Sequence, residues 1–183
     1  AEDDTLSGDA GDDTLKGDAG DDTLFGNADN DTLQGGAGSD TIDGGSGTED
    51  SVDFSDITTE VVLTLNTSNN SVAAITGDGD DLVKNVENIL GGTVNDTFTG
   101  DSVVNTISGN SGDDTLDGGA NDDTLLGGAD DDLLIGGAGD DLISGGISVN
   151  TEADSGNDTV SYAVSSAVNV DLSNTIATGD GTD

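Results

Sequence analysis

Residues 8–43 read GDAGDDTLK, GDAGDDTLF, GNADNDTLQ and GGAGSDTID: four units of nine residues with no insertion. Each opens with Gly, carries Asp at its sixth position (Asp13, Asp22, Asp31, Asp40) and a large aliphatic at its eighth (Leu15, Leu24, Leu33, Ile42). A fixed short period decides architecture before any local propensity does. Gly recurs too often for a long helix to survive. The six residues G-G-x-G-x-D are turn formers, in which Gly supplies positive φ. The three residues x-U-x, where U is the large aliphatic, are strand, with U on one face and its neighbours on the other. Two turns and two short strands make an 18-residue coil, so unit n stacks on unit n+2. The stacked strands form parallel ladders with a Leu/Ile column inside, and parallel crossovers are right-handed.

The repeat extends on both sides of this stretch. A first block covers residues 1–53, with Asp4 and Asp50 as further sixth-position acids and one extra residue in its last unit. A second block covers 91–161, with Asp96, Asp114, Asp123, Asp132, Asp141 and Asp158 in the acidic slot and an insertion near 147–155. Residues 54–90 form a spacer without nonapeptides, read as extra coils or a cap. In it Val61–Leu65, Ser71–Ile75 and Asn85–Leu90 read as strands, rich in β-branched residues or alternating in polarity. Residues 162–183 repeat the start of this spacer, so block plus spacer is a larger unit, cut short at the end. Phe54 and Tyr162 fall at equivalent places and are expected to plug the core where coil geometry changes.

The 183 residues carry 40 Asp plus Glu against 2 Lys plus Arg, a formal charge of −38, with 2% aromatics and no Cys, His, Pro, Met or Trp. High charge with few large apolar residues marks a disordered chain. Strict apolar periodicity contradicts disorder, and the two facts reconcile if something external neutralises the charge. Under n/n+2 stacking Asp13 lies over Asp31 and Asp22 over Asp40. At ~5 Å and an effective dielectric of ~20 such a pair repels by roughly 3 kcal/mol before screening. An all-oxygen donor set with no His or Cys selects a hard divalent cation such as calcium, which takes six to eight oxygens. Metal binding and folding are then one event.

The units resemble the calcium-binding nonapeptide G-G-x-G-x-D-x-U-x of the RTX (repeats-in-toxin) family, over about two thirds of the chain. The resemblance implies an all-β, right-handed parallel β-roll or β-solenoid with several calcium ions between adjacent turns. It implies that the ions are held by the sixth-position Asp residues named above and by carbonyls of the glycine-rich turns. Those turns include Gly35, Gly36 and Gly38, then Gly118, Gly127, Gly136 and Gly139. It also implies type I secretion, with the chain unfolded in the cytosol and folding outside the cell or at the bacterial cell surface. Departures are expected to weaken sites between Gly91 and Ser108: Asn105 replaces an acid, and Val94 and Val103 replace the fourth-position Gly. Asn27, Asp29 and Asn121 are milder, because Asn and Asp tolerate the left-handed region. The fifth-position acids (Asp3, Asp12, Asp21, Asp113, Asp140) are read as solvent-facing charge.

Other chemistries are disfavoured. Without His or Cys there is no base for a nucleophilic triad and no thiolate metal site. Asp78 starts no EF-hand, because its twelfth position is Ile89. The charge argues against nucleic acid and anionic membrane, and no run is apolar enough to span a bilayer. The chain begins mid-repeat and reads as a piece of something longer. The reading is a non-enzymatic, calcium-dependent structural module of a large secreted bacterial protein such as an adhesin, S-layer-like protein or filament. Partners are calcium and, held open, further copies or flanking repeats. The alternatives are the calcium-binding tail of a secreted exoenzyme and a polysaccharide-binding module.

Overall fold

The computed structural model describes residues 2–66, 71–75, 79–146, 159–161 and 167–171. Among them the regular elements are all strands: β1 (Thr5–Ser7), β2 (Thr14–Ala19), β3 (Thr23–Ala28), β4 (Thr32–Ala37), β5 (Thr41–Ser46), β6 (Ser51–Asp53), β7 (Val61–Thr64), β8 (Ser71–Ile75) and β9 (Asp80–Lys84). The second half continues with β10 (Asn88–Leu90), β11 (Thr97–Thr99), β12 (Thr106–Ser111), β13 (Thr115–Asp117), β14 (Thr124–Ala129), β15 (Leu133–Ile135), β16 (Asp140–Ser144), β17 (Thr159–Ser161) and β18 (Ala167–Asp171).

Apart from β7, β8 and β9, successive strands alternate between two sheets, one ordered β1-β3-β5-β9-β8-β7-β11-β13-β15-β17 and the other β2-β4-β6-β10-β12-β14-β16-β18. The result is a parallel β-solenoid of about seven turns. Thr5 pairs with Thr23, Thr14 with Thr32 and Thr106 with Thr124, so each coil is 18 residues long and unit n lies on unit n+2. The eighth-position aliphatics face inward as two columns. Leu24, Ile42, Leu116 and Leu134 line one sheet and Leu33, Ile107, Leu125 and Ile143 the other, all fully buried.

Many strands run six residues instead of three, through the first three positions of the next unit. Stacked turns pair there too, as Asp18 with Gly36 and Ala19 with Ala37. The second position stays in the ladder because it adopts positive φ in unit after unit: Asp18 at 70°, Asn27 at 80°, Gly36 at 102°, Asn110 at 74°. Asp29 (75°) and Asn121 (80°) do the same at the fourth position, as their tolerance of this region predicts.

The spacer departs from the coil rule. From β6 the chain advances to β7, which pairs in parallel with β11 of the following coil. It then returns through antiparallel β8 to β9, which pairs in parallel with β5. Three strands thus take the place of one, and β10 rejoins the other sheet between β6 and β12. Expected strands at 61–65 and 71–75 match β7 and β8. The expected strand at 85–90 shortens to 88–90, and β9 is an addition. Phe54 is buried and stacks on Phe98, ring centroids 6.4 Å apart. Tyr162 and the insertion near 147–155 lie outside the described residues.

Candidate metal centre

Each sixth-position residue closes a turn, and the coil repeat places these residues in columns along the two edges of the solenoid. One edge carries Asp13, Asp31, Asp50, Glu87, Asn105, Asp123 and Asp141. The other carries Asp4, Asp22, Asp40 and Asp81, then, beyond the meander, Asp96, Asp114 and Asp132. Asp22, Asp31, Asp40, Asp50, Asp81, Asp96, Asp114, Asp123, Asp132 and Asp141 are all buried. Asp13 is half-buried and Asp4, at the first coil, is exposed. Asp158 lies outside the described residues.

One hydrogen bond repeats down both columns. The backbone N–H of a sixth-position residue donates to Oδ1 of its counterpart one coil on: Asp4 to Asp22 (2.7 Å), Asp13 to Asp31 (2.8 Å), Asp22 to Asp40 (2.8 Å) and Asp114 to Asp132 (2.9 Å). Asn105 donates likewise to Asp123 (2.8 Å) and Asp123 to Asp141 (3.0 Å). The second carboxylate oxygen is left over. Oδ2 of Asp13, Asp22, Asp31, Asp114, Asp123 and Asp141 is buried with no hydrogen-bond partner. A buried carboxylate oxygen in that state is costly unless a positive charge faces it.

What that oxygen faces is set by the first-position glycine. A Cβ placed on Gly118 would lie 2.6 Å from Asp123 Oδ2 and 2.6 Å from the carbonyl of Gly136 in the next coil. On Gly8 it would lie 2.7 Å from Asp13 Oδ2 and 2.9 Å from the Gly26 carbonyl. Gly17, Gly26, Gly109 and Gly127 repeat the arrangement with Asp22, Asp31, Asp114 and Asp132. A carboxylate of one turn and a carbonyl of the next therefore converge beside the glycine, an approach that a side chain there would block. Gly35 and Gly136 stand close against the carboxylates of Asp40 and Asp141. Gly36, Gly38 and Gly139 have positive φ, and each presses its Cα against a carbonyl of the preceding coil. Among the described residues no three acidic side chains converge, so each site would have one or two carboxylates and otherwise backbone oxygens. That donor set fits calcium, which accepts many neutral oxygens at 2.3–2.6 Å (general values).

The electrostatics point the same way. Burial, reinforced by Asp96, Asp113 and Asp130, pushes the Asp114 carboxyl up to about 7. Burial with Asp141, Asp101 and Asp122 nearby pushes Asp123 up to about 7 as well. Asp50, Glu87 and Asp96 are also raised, burial being the largest cause in each. A bound divalent cation supplies the positive charge that lets such groups stay ionised at neutral pH.

The fifth-position acids are exposed, and they also build a ladder, in the opposite direction. Asp21 N–H donates to Asp3 Oδ1 (3.1 Å), Asn30 to Asp12 (3.1 Å), Asp131 to Asp113 (3.0 Å) and Asp140 to Asp122 (2.8 Å).

Two sixth-position residues escaped the sequence reading. Asp81 accepts the Asp40 N–H (2.8 Å), as a regular unit would, although 41 residues separate them instead of 18. Its signal was present, since Gly79-Asp80-Asp81-Leu82-Val83 keeps the G-x-D-x-U core of a unit. Glu87 accepts the Asp50 N–H through Oε2 (3.0 Å). No short pattern flags it, because Glu replaces Asp and the glycines are missing.

Where sites were expected to be weak, the turns close on themselves. Asn105 Nδ2 donates to the Glu87 carbonyl (2.8 Å), and its Oδ1 accepts from Asp101 N–H (2.9 Å). Asp96 Oδ2 accepts from Gly92 N–H (2.9 Å). Outside that stretch, at a position expected to bind, Asp50 Oδ2 accepts from Gly47 N–H (3.1 Å).

A parallel solenoid with orphaned carboxylates along both edges defines a class of calcium-binding repeat protein. The family model for the RTX calcium-binding nonapeptide repeat (4 copies) matches residues 1–33, 17–48, 90–125, 99–134 and 118–151. The matches cover more than half of the chain, and it belongs to that family. No curated protein matches the chain.

Proposed function

We propose that this chain is a calcium-dependent structural module of a large secreted bacterial protein, of the adhesin, S-layer-like or filament kind. In this reading it folds when it meets calcium outside the cell or at the cell surface. The family supports a structural calcium-binding role in secreted proteins. The observation that carries the reading is the row of buried Asp Oδ2 atoms without a donor, each set close against a first-position glycine. Sixth-position Asp side chains and turn carbonyls from Gly26, Gly127 and Gly136 are the proposed ligands. Extracellular calcium modules bind at ~10⁻⁴–10⁻³ M, which would set the switch between cytosolic and external levels. The test is far-UV circular dichroism during calcium titration, with magnesium at equal ionic strength as control. A coil-to-β transition with calcium alone is the expected result, and full β-structure in chelator overturns it.

A second reading, a polysaccharide-binding module, has one observation in its favour. The outer face of the second sheet carries an open groove of about 720 Å³ whose lining includes Thr32, Ser51, Asn88, Thr106 and Asn110. No aromatic ring is in that lining to stack on a sugar, so the structural reading stands first. Isothermal titration with glycans against the calcium-loaded chain separates the two.

A further inference from the structure

Orphaned and internally satisfied carboxylate oxygens divide this chain into two flanks and a middle. On either side, the second oxygen of Asp13, Asp22, Asp31, Asp114, Asp123 and Asp141 has no donor. In the middle, the equivalent atoms are satisfied from within. Gly47 N–H serves Asp50, Gly92 N–H serves Asp96, and Asn105 gives its own amide proton to the Glu87 carbonyl. The middle also has its own core. Of the eighteen buried hydrophobic side chains among the described residues, nine lie from Phe54 to Phe98: Phe54, Ile57, Val61, Leu63, Leu65, Val83, Val86, Ile89 and Phe98. The flanks bury about one aliphatic per nine-residue unit. Charge follows the same division: residues 54–98 hold seven acids and one Lys, whereas residues 1–53 hold sixteen acids and one Lys. The antiparallel pairings β7–β8 and β8–β9 add contacts that are local in sequence, which lowers the entropy cost of forming them first.

We infer that the spacer and the strands beside it, β6 to β11 with the Asn105 turn, form a folded centre without calcium. Calcium then orders two separate ladders of turns growing from its two faces. The centre presents β9 as a template for β5, and β11 as a template for β13. Each ladder starts on a preformed strand edge instead of paying the nucleation cost of a free coil. Calcium in this protein extends a fold whose seed the sequence supplies, and the two halves respond as separate units.

The inference rests on the calcium-coupled folding proposed above for the flanks, and amide hydrogen exchange on the full chain distinguishes the two claims. In chelator, amides in Val61–Thr64, Asp80–Lys84, Asn88–Leu90 and Thr97–Thr99 are expected to exchange at least ~100-fold more slowly than those in Thr14–Ala19, Thr32–Ala37, Thr115–Asp117 and Thr124–Ala129. Calcium should slow the flanking strands to match. Equal loss of protection in centre and flanks overturns this inference and leaves calcium-coupled folding standing. Protection throughout in chelator overturns both. A variant gives a second reading. Asn105→Asp removes the amide donor and adds a buried charge, so exchange in Asn88–Leu90 in chelator should accelerate by at least ~10-fold. Unchanged exchange there overturns the claim that the amide closes the turn.

Discussion

The backbone N–H of Asp13 donates to Oδ1 of Asp31, 2.8 Å away and eighteen residues on, while Asp31 Oδ2 is buried without a donor. Half of each carboxylate thus holds the coils in register, and the other half is left facing a neighbouring carbonyl. The first half involves no metal directly, and the second leaves a buried negative oxygen whose cost a cation offsets.

Replacing the acid by its amide separates these halves. Asp31→Asn keeps the Oδ1 acceptor for Asp13 and offers an Nδ2 donor toward the Gly44 carbonyl. The variant should fold at least as well in chelator as the parent. It should bind one calcium fewer, with affinity at the adjoining site reduced by about tenfold. Native mass spectrometry counts the ions, and a calcium titration followed by circular dichroism gives the affinity. An unchanged ion count would remove Asp31 from the ligand set.

The glycines make a second prediction, in which two positions behave differently. A Cβ on Gly118 would meet Asp123 Oδ2 and the Gly136 carbonyl, both at 2.6 Å, and so push apart two of the proposed ligand oxygens. Gly118→Ala should cost ~1–3 kcal/mol in saturating calcium, as overpacking does. Gly11, at φ 107°, has nothing within 4 Å of such a Cβ. Gly11→Ala should cost only ~1 kcal/mol, the strain of positive φ alone. Urea unfolding in calcium compares them, and equal losses would show that the Gly118 space has no special role.

Most of the architecture was legible because one rule generates it. Nine-residue spacing sets the coil, and with the coil come the parallel register, the Leu/Ile columns and the stacking of Asp13 on Asp31. What stayed hidden lies where three-dimensional stacking replaces sequence spacing. Asp81 follows Asp40 by 41 residues yet occupies the next place in the column, because the detour through β7 and β8 returns the chain to the same edge. Its G-x-D-x-U remnant could be read locally, but its partner could not. The reversed order β9-β8-β7 was hidden too, since strand propensity says nothing about which neighbour a strand chooses. Closure of the Asn105 turn is a matter of donor geometry, which a substitution alone does not reveal.

The core predicts an uneven response to truncation. Phe98 is fully buried between Leu63 and Leu116 in its sheet and stacks on Phe54. Leu134 is equally buried in a regular flank coil. Phe98→Ala should cost ~3–5 kcal/mol and Leu134→Ala ~2–5 kcal/mol in saturating calcium. In chelator only the Phe98 variant should lose secondary structure relative to the parent, because the Leu134 coil is then already unfolded. Circular dichroism of both variants in both conditions checks this. A loss for Leu134→Ala in chelator would mean that the flank holds together without metal.

Protons offer a route around the metal, and the sign of their effect follows from Asp114 and Asp123. Both carboxyls are pushed up to about 7 by burial, from an ordinary value of 3.8. A group whose folded value is raised stabilises the fold fully below its unfolded value and stops doing so as pH rises through its folded value. In chelator, the coils that carry Asp114 and Asp123 should therefore be most ordered below pH ~4 and lose structure progressively up to pH ~7. In calcium the trend reverses, because protons compete for the same oxygens, so the calcium midpoint should rise as pH falls below ~7. Circular dichroism across pH 3–8, with chelator and with calcium, measures both arms. If chelated chain gains no structure on acidification, the buried carboxylates are not what keeps the metal-free flanks unfolded.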